Sequence, residues 1–212
     1  MTVRVAVLIS GSGTNLQALI DEADRADCPA EIALVLSNKE DAFGLVRARN
    51  AGIHAVWHDH RGKPRSTYDQ EVVEILRSHG VEWVFLAGFM RLLSPTLLDA
   101  FPDRIVNIHP ALLPSFPGLH AQKQAFDAGV RISGATVHFV DSGMDSGAII
   151  AQGAVPRRDG DTLDDFAQRI LSMEHRLFPM VMRWAAEGRL DAKEGEAIVA
   201  RSLDESRALL DD

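Results

Sequence analysis

The 212-residue chain is poor in the residues on which several classes of protein depend. Cys28 is its single cysteine, which excludes an internal disulfide framework and a cysteine-based zinc site. No stretch approaches the roughly 18 apolar residues of a membrane-spanning helix. Basic residues are also in deficit, because 22 Lys and Arg face 30 Asp and Glu. The net charge of −8 therefore argues against a nucleic-acid or anionic-membrane partner.

What is present is typical of a globular domain, with 46% apolar and 25% charged residues. The apolar run at residues 3–9 contains Arg4 and no small-residue cleavage site follows it, so it predicts a first β-strand and not a signal peptide. We expect a soluble, cytoplasmic protein, either a monomer or a homodimer. Residues 1–190 are predicted to form one domain, and the polar residues 191–212 a C-terminal appendage.

Apolar runs typical of strands alternate with segments whose apolar residues recur at helical spacing. Strands are predicted at residues 3–9, 31–36, 53–57, 83–87, 104–107, 132–140 and 148–155. Helices are predicted at residues 14–25, 42–51, 66–79, after Ser94, at 120–128 and at 162–186. This alternation predicts an α/β fold with a doubly wound, mostly parallel, Rossmann-like sheet. The short spacing of the last two strands predicts antiparallel additions to its edge.

The most informative motif is Asn107-Ile-His-Pro110, which ends the fifth predicted strand. Three prolines and Gly118 follow within residues 110–118, so a rigid loop must continue the chain. Asn107 and His109 alternate about an apolar residue and face the same side, at the edge where ligands bind in such sheets. Burying both without a ligand would leave polar groups unsatisfied, so we interpret them as a donor and an acid/base for acyl-type transfer. A structural histidine is the alternative.

A second polar loop, residues 141–147, follows another apolar strand and could bring a carboxylate to His109. Asp141 and Asp145 are both candidates, and their spacing does not decide between them, since either could be a turn former. His138, inside the preceding strand, is either a core histidine or a second ligand contact.

A glycine loop, Ser10-Gly-Ser-Gly-Thr-Asn15, joins the first strand to the first helix. Its glycines allow close approach of a ligand, and the helix N-terminus directs free N–H groups at an anion. The dinucleotide fingerprint is broken by Leu16, and no P-loop lysine follows, so a small phosphate ester fits better. A tight turn capped by Ser12 or Thr14 is the alternative.

Three charged residues are less informative. Arg91 lies in an apolar run after the fourth strand, which suggests a cavity wall with one charged contact. Arg65 is interpreted as a solvated charge on an exposed loop, and Glu174, on the last helix, as a surface residue by default.

Taken in order, these motifs resemble the folate-dependent formyltransferases, and among them those that act on phosphoribosylglycinamide (glycinamide ribonucleotide). The resemblance runs from Val3 to about Leu190. Seven segments carry it, at residues 9–17, 86–94, 107–114, 116–120, 137–140, 144–147 and 174–175. Each segment is weak by itself, whereas seven in order at the family's spacing are specific. One departure is Ala135, where the family often has a hydroxyl or thiol side chain.

The resemblance implies transfer of a formyl group from 10-formyltetrahydrofolate, a consumed co-substrate, to the amine of phosphoribosylglycinamide, with no metal. It implies that Asn107 and a protonated His109 stabilise the tetrahedral intermediate while Asp145, selected over Asp141, assists proton transfer. The implied phosphate-binding residues are Gly11, Ser12, Gly13, Thr14 and Asn15, with Glu174 on the ribose hydroxyls. The implied folate-binding residues are Arg65, Met90, Arg91, Leu92, Leu93, Asp141, Ser142, Gly143, Met144 and Asp145.

The sequence leaves three alternative functions to be considered. A formyltetrahydrofolate deformylase would give the formyl group to water, but that family usually has an extra N-terminal domain. A methionyl-tRNA formyltransferase would share the Asn-x-His core, but it normally carries a C-terminal nucleic-acid-binding domain. A non-catalytic nucleotide-binding module could use the same glycine loop but would have no use for the trio.

Overall fold

The computed structural model describes residues 2–193, 196–199 and 208–210. Its elements alternate as the sequence predicts. In chain order they are β1 (Val3–Ile9), α1 (Thr14–Ala23), β2 (Ala30–Ser37), α2 (Phe43–Asn50), β3 (Ala55–Trp57), α3 (Arg65–Ser78), β4 (Trp83–Leu86), α4 (Pro95–Ala100), β5 (Ile105–His109), α5 (Ala121–Asp127), β6 (Ile132–Phe139), β7 (Ile149–Pro156), α6 (Leu163–Ala186), β8 (Leu190–Lys193), β9 (Glu196–Val199) and β10 (Ala208–Leu210).

Eight of the described strands form one sheet in the order β10-β7-β6-β5-β4-β1-β2-β3. The strands from β3 through β1 to β5 are parallel, β6 and β7 add antiparallel, and β10 pairs parallel with β7. The predicted doubly wound, mostly parallel sheet with antiparallel additions is confirmed. The strand order reverses beside β1, so the loops after β1 and β4 flank a crevice at the carboxyl edge, where ligands bind in such folds.

The core lies on both faces of the sheet, and β1 shows why. Val5, Val7 and Ile9 face the cluster built with α1, α2 and α6, whereas Ala6 and Leu8 face the cluster built with α3 and α4. Successive side chains of a strand point to opposite faces, so a strand buried on both sides is apolar throughout. The sheet is therefore a rigid platform for the loops at its edge.

The long helix α6 begins as its sequence predicts. The Thr162 side chain accepts a hydrogen bond from the backbone of Asp165, and the Asp165 carboxylate accepts from the backbone of Thr162, forming a capping box. Burial of Phe166, Ile170 and Leu177 places one face of α6 on the core. This packing brings Glu174, on the same helix, towards α1.

The described part of the C-terminal segment that begins at Leu190 contains three short strands, which belong to two different sheets. β8 and β9 form a separate antiparallel pair, and β10 adds to the main sheet. Parts of the predicted 191–212 appendage, namely residues 194–195, 200–207 and 211–212, lie outside the described residues. The domain boundary at residue 190 thus stays a prediction. Among the described helices, none has the length and apolar character needed to cross a membrane.

Candidate active site

Asn107, His109 and Asp145 meet at the carboxyl edge of β5. β5 extends to His109, two residues beyond the predicted end, because His109 still pairs with Thr136 of β6. The Nδ1 atom of His109 lies 3.3 Å from Oδ2 of Asp145, which the β6–β7 loop carries back to β5. Asn107 joins them through the neighbouring strand, since its Nδ2 is 3.1 Å from Nε2 of His138.

The ring of His109 is held from both sides. It is 4% exposed, and its Nε2 lies 2.8 Å from the Phe116 carbonyl oxygen, so Nε2–H donates to that carbonyl. Nδ1 is consequently the nitrogen that faces Asp145. A proton carried on Nδ1 can be exchanged with a substrate while Nε2–H keeps the ring oriented.

The loop geometry distinguishes the two aspartates that the sequence left open. Asp145 adopts φ 52°, in the left-handed region, and its Oδ2 accepts a hydrogen bond from the Gly118 N–H at 2.7 Å. Asp141 instead accepts from the Gly143 N–H and the Ser146 hydroxyl inside its own loop. Asp145 is therefore the carboxylate beside His109, as the resemblance implies, and an uncommon backbone conformation holds it there.

His138 orients the carboxamide of Asn107. Its Nδ1–H donates to the Phe139 carbonyl oxygen at 2.7 Å, which leaves Nε2 as an acceptor in the neutral ring. Asn107 must then present its NH₂ group to Nε2, so the second N–H of that group stays available for a ligand. Burial lowers the pKa of His138 and so favours the neutral ring, although Phe139, Asp145 and Asp141 act in the opposite direction.

A buried hydroxyl anchors the loop after His109. The Thr136 Oγ1 donates to the Ala111 carbonyl at 2.7 Å and accepts from the Leu113 N–H and the Gln152 amide, each at 3.0 Å. Ala135, the departure from the family pattern, is fully buried in the core beside it. Thr136 was not singled out from the sequence; a hydroxyl between the apolar residues Ala135 and Val137 was the available signal.

The glycine loop has the predicted position between β1 and α1, with Gly13 as N-cap at φ 70°. A Cβ on Gly13 would lie 2.7 Å from the Cα of Gly44 in α2, whereas a Cβ on Gly11 would meet no atom within 4 Å. Gly13 is thus required by the packing of the loop itself, and Gly11 is the glycine that borders open space. The sequence pattern by itself does not distinguish these two glycines.

Arg47 of α2 is a cation beside this loop that sequence analysis missed. Its Nε donates to the Ser12 carbonyl at 2.9 Å, and its Nη1 donates to the Gln17 side chain at 3.2 Å. Arg47 also lines a cleft of about 1070 Å³ together with Thr14 and His175. The cation and the N-terminus of α1 both favour an anion at the start of this helix.

Glu174 is not the surface residue that its position on a helix suggested. It is 5% exposed, because α6 packs on α1, and its Oε2 accepts from the Asn15 Nδ2 at 2.5 Å. Burial raises the pKa of Glu174 to about 7, against an ordinary value of 4.5. The Asn15 Oδ1 is buried without a hydrogen-bond partner among the described residues. The Glu174 carboxylate and one unpartnered acceptor, the Oδ1 of Asn15, therefore lie beside the glycine loop.

The predicted folate-binding residues include exposed apolar side chains and two arginines in different environments. Met90, Leu92 and Met144 are large apolar side chains that are 60%, 50% and 57% exposed on loops of the carboxyl edge. Arg91 is partly buried, with its guanidinium carbon 4.5 Å from the centre of the Tyr68 ring. Arg65 begins helix α3 and is exposed, so it is not on a loop as expected. The roles of all these residues stay predictions.

A carboxamide, an imidazole and a carboxylate at the carboxyl edge of a doubly wound sheet are side chains suited to acyl-type transfer, and the helix N-terminus after the glycine loop at the same edge favours an anion. The family model described as formyl transferase matches residues 3–182. The chain belongs to this formyl transferase family.

The relatives agree with this assignment. The chain is 43% identical over 195 residues to phosphoribosylglycinamide formyltransferase of Escherichia coli (strain K12), which covers 91% of this chain and 92% of that protein. It is 52% identical over 190 residues to the trifunctional purine biosynthetic protein adenosine-3 of Drosophila pseudoobscura pseudoobscura, covering 88% of this chain but only 14% of that longer protein.

Solved structures extend the similarity to the whole fold. Glycinamide ribonucleotide transformylase 1 of Symbiobacterium toebii superposes with a TM-score of 0.91 at 49% identity, covering 94% of this chain and 95% of that one. Phosphoribosylglycinamide formyltransferase of Anaplasma phagocytophilum gives a TM-score of 0.92 at 36% identity, covering 100% and 99%.

Proposed function

We propose that the protein transfers the formyl group of 10-formyltetrahydrofolate to the amine of 5'-phosphoribosylglycinamide, in de novo purine biosynthesis. The observation that carries the proposal is similarity along nearly the full length of a relative named for this reaction, at 43% identity. The meeting of Asn107, His109 and Asp145 at one edge of the sheet supports it, because a non-catalytic binding module would have no use for these three side chains together. We propose small-molecule substrates in the cytoplasm and no metal.

The ribonucleotide binds across the N-terminus of α1. Its phosphate accepts hydrogen bonds from the N–H groups of residues 11–15, and Arg47 adds positive charge beside them. The ribose hydroxyls donate to the carboxylate of Glu174 and to the unpartnered Oδ1 of Asn15. The Oδ1 of Asn15 is otherwise buried without a donor among the described residues, so a ribose hydroxyl satisfies a polar atom that costs free energy when unpaired.

The formyl-folate covers the apolar rim of the site. Met90, Leu92 and Met144 expose about half or more of their surface there, and aromatic rings of a folate are the natural cover for such side chains. Leu93, Arg65 and the loop at residues 141–145 complete the proposed folate contacts. The folate is consumed as a co-substrate, so it is not a resident cofactor.

Chemistry begins when the amine of the ribonucleotide attacks the formyl carbon. Negative charge then develops on the formyl oxygen, and the free N–H of Asn107 donates to it. A donor placed for the developing oxyanion lowers the barrier by about 3–4 kcal/mol in comparable enzymes. His138 keeps Asn107 in the orientation that presents this N–H, because Nε2 accepts the other one.

The amine must lose a proton and the leaving nitrogen of the folate must gain one. Nδ1 of His109 is 3.3 Å from the Asp145 carboxylate, so the pair can receive the first proton and deliver the second. The Phe116 carbonyl holds Nε2–H throughout, and the Gly118 N–H holds the carboxylate. Proton movement therefore needs no rearrangement of either side chain.

The test is a formyl-transfer assay with purified protein and 10-formyltetrahydrofolate, with and without the ribonucleotide. We expect loss of formyl-folate that depends on the ribonucleotide and yields a formylated product. Loss at the same rate without the amine would identify a deformylase, and no loss under conditions where an Escherichia coli relative works would refute transfer altogether.

A further inference from the structure

The loop at residues 90–94, called here the folate loop, is held at its start by Ser10, in its middle by Tyr68 and at its end by Asp69. We propose that Tyr68 and Asp69, adjacent residues of α3, are positioning residues that set the conformation of the folate loop for formyl-folate. The proposal rests on the function proposed above, and it adds two residues that neither touch a substrate nor belong to the motifs.

Asp69 holds the end of the loop. It is 1% exposed, and its Oδ2 accepts a hydrogen bond from the Ser94 N–H at 2.6 Å. Ser94 is itself 5% exposed and is the N-cap of α4, so its N–H cannot readily hydrogen-bond to solvent if the Asp69 carboxylate is removed. A buried donor without a partner is costly, and the loop would relax to find another.

Tyr68 holds the middle of the loop. Its ring is fully buried, and the guanidinium carbon of Arg91 lies 4.5 Å from the ring centre, a cation–π distance. The Nε of Arg91 is buried with no hydrogen-bond partner among the described residues, so the ring is the contact that places this side chain. The imidazole of His58, the residue directly after β3, stacks on the same ring with 5.1 Å between the ring centroids. This contact further restrains the Tyr68 ring.

The hydroxyl of Tyr68 takes no part in this arrangement. It is buried without a hydrogen-bond partner among the described residues, and burial raises the pKa of the phenol, so it stays neutral. The face of the ring is therefore the functional part, which makes phenylalanine a matched control.

The start of the loop is tied to β1 and β2. Ser10 accepts a hydrogen bond from the Met90 N–H at 2.8 Å and donates to the Asn38 Oδ1 at 2.6 Å. Ser10 and Asn38 are 5% and 4% exposed, at the carboxyl ends of neighbouring parallel strands. With this end tied to the sheet, the contacts from α3 decide where Met90 and Leu92 point.

Four variants test the proposal: Tyr68→Met, Tyr68→Phe, Asp69→Leu and Asp69→Asn. Methionine fills a similar volume with an adaptable apolar chain but offers no ring face, and leucine has no acceptor for the Ser94 N–H. Phenylalanine keeps the face and asparagine keeps an acceptor oxygen. Circular dichroism and the melting temperature establish that each variant is folded at the assay temperature.

Binding of a formyl-folate analogue that cannot transfer its formyl group is measured directly by fluorescence titration. We expect Tyr68→Met and Asp69→Leu to raise its Kd about tenfold, equivalent to about 1.4 kcal/mol. For Tyr68→Phe and Asp69→Asn, the Kd of the analogue should stay within about threefold of the wild-type value, because the ring face and the acceptor oxygen are retained. The KM for the ribonucleotide should be unchanged in all four, because no hydrogen bond or ring contact among the described residues joins Tyr68 or Asp69 to the proposed phosphate-binding residues 11–15.

Two results would overturn the proposal. One is an unchanged analogue Kd in folded Tyr68→Met and Asp69→Leu proteins. The other is an equal rise of the analogue Kd and of the ribonucleotide KM, which is what general loss of structure would produce. Failure of the proposed function is distinguished by the formyl-transfer assay, in which the wild-type protein would then transfer no formyl group. That result does not depend on the four variants.

Discussion

Glu174 is expected to make both folding and ribonucleotide binding depend on pH. It is 5% exposed, and burial raises its pKa to about 7 from an ordinary value of 4.5. The difference of about 2.5 units, at about 1.36 kcal/mol per unit, corresponds to about 3 kcal/mol of unfavourable free energy when the buried group is ionised. The change Glu174→Gln removes this ionisation while keeping a side chain of the same length for Asn15.

The sign follows from proton linkage. Below about pH 4.5 the carboxyl is protonated in the folded and the unfolded chain, and Glu174 makes no pH-dependent contribution. Between about 4.5 and 7 the unfolded chain gives up its proton first, so the free energy of unfolding falls as the pH rises. Above about pH 7 the full cost is present, and the Gln variant should then be more stable than wild type by up to about 3 kcal/mol.

Ribonucleotide binding should show the opposite preference. Ribose hydroxyls donate to the ionised carboxylate, so binding should tighten as the pH rises towards about 7. The Gln variant should bind more weakly and lose this pH dependence, since an amide is the weaker acceptor.

The assay is urea unfolding followed by circular dichroism at several pH values between 4 and 8.5, with ribonucleotide Kd measured at the same values. Glu74→Gln makes the same chemical change at an exposed position of α3 and is the matched control. A difference in unfolding free energy between wild type and Glu174→Gln that is constant over this range would refute the reasoning.

Three further predictions concern the rest of the site. Asp145→Asn and His109→Ala should each lower turnover at least about a hundredfold, the scale for loss of a group acting in the transition state; near-normal kcat in either variant would remove that residue from the mechanism. Gly11→Ala should raise the ribonucleotide KM with little change in melting temperature, whereas Gly13→Ala should lower the melting temperature as well, because of its φ of 70° and its contact with α2. His138→Leu should lower kcat about tenfold by freeing the carboxamide that it orients, and His138→Gln, which retains an acceptor, should restore most of it; equal rates in both variants would contradict the positioning role.

Much of this fold follows from local pattern. The run of apolar residues in β1 requires burial on both faces, and alternation with helices then favours a parallel sheet. The strand order β10-β7-β6-β5-β4-β1-β2-β3 was not predictable in the same way. Pairing between strands depends on contacts distant in the chain, which no short window contains.

The candidate site divides in the same manner. Asn107 and His109 could be paired from the sequence because residues two apart in a strand face the same side. Asp145 could not be chosen over Asp141 by pattern, since both lie in one polar loop; the resemblance implied the choice, and the backbone conformation of that loop places Asp145 beside His109.

The sequence by itself determined the alternation of elements, the position of the polar residues at strand ends and the end of β5 before the proline-containing loop. These depend on period, on glycine and proline, and on residues close together in the chain. Tertiary structure alone decided that Glu174 is buried, that His138 orients Asn107 and that Tyr68 lies under Arg91. Each of these depends on which surfaces of distant segments exclude water from one another, and burial of that kind is a property of the assembled domain.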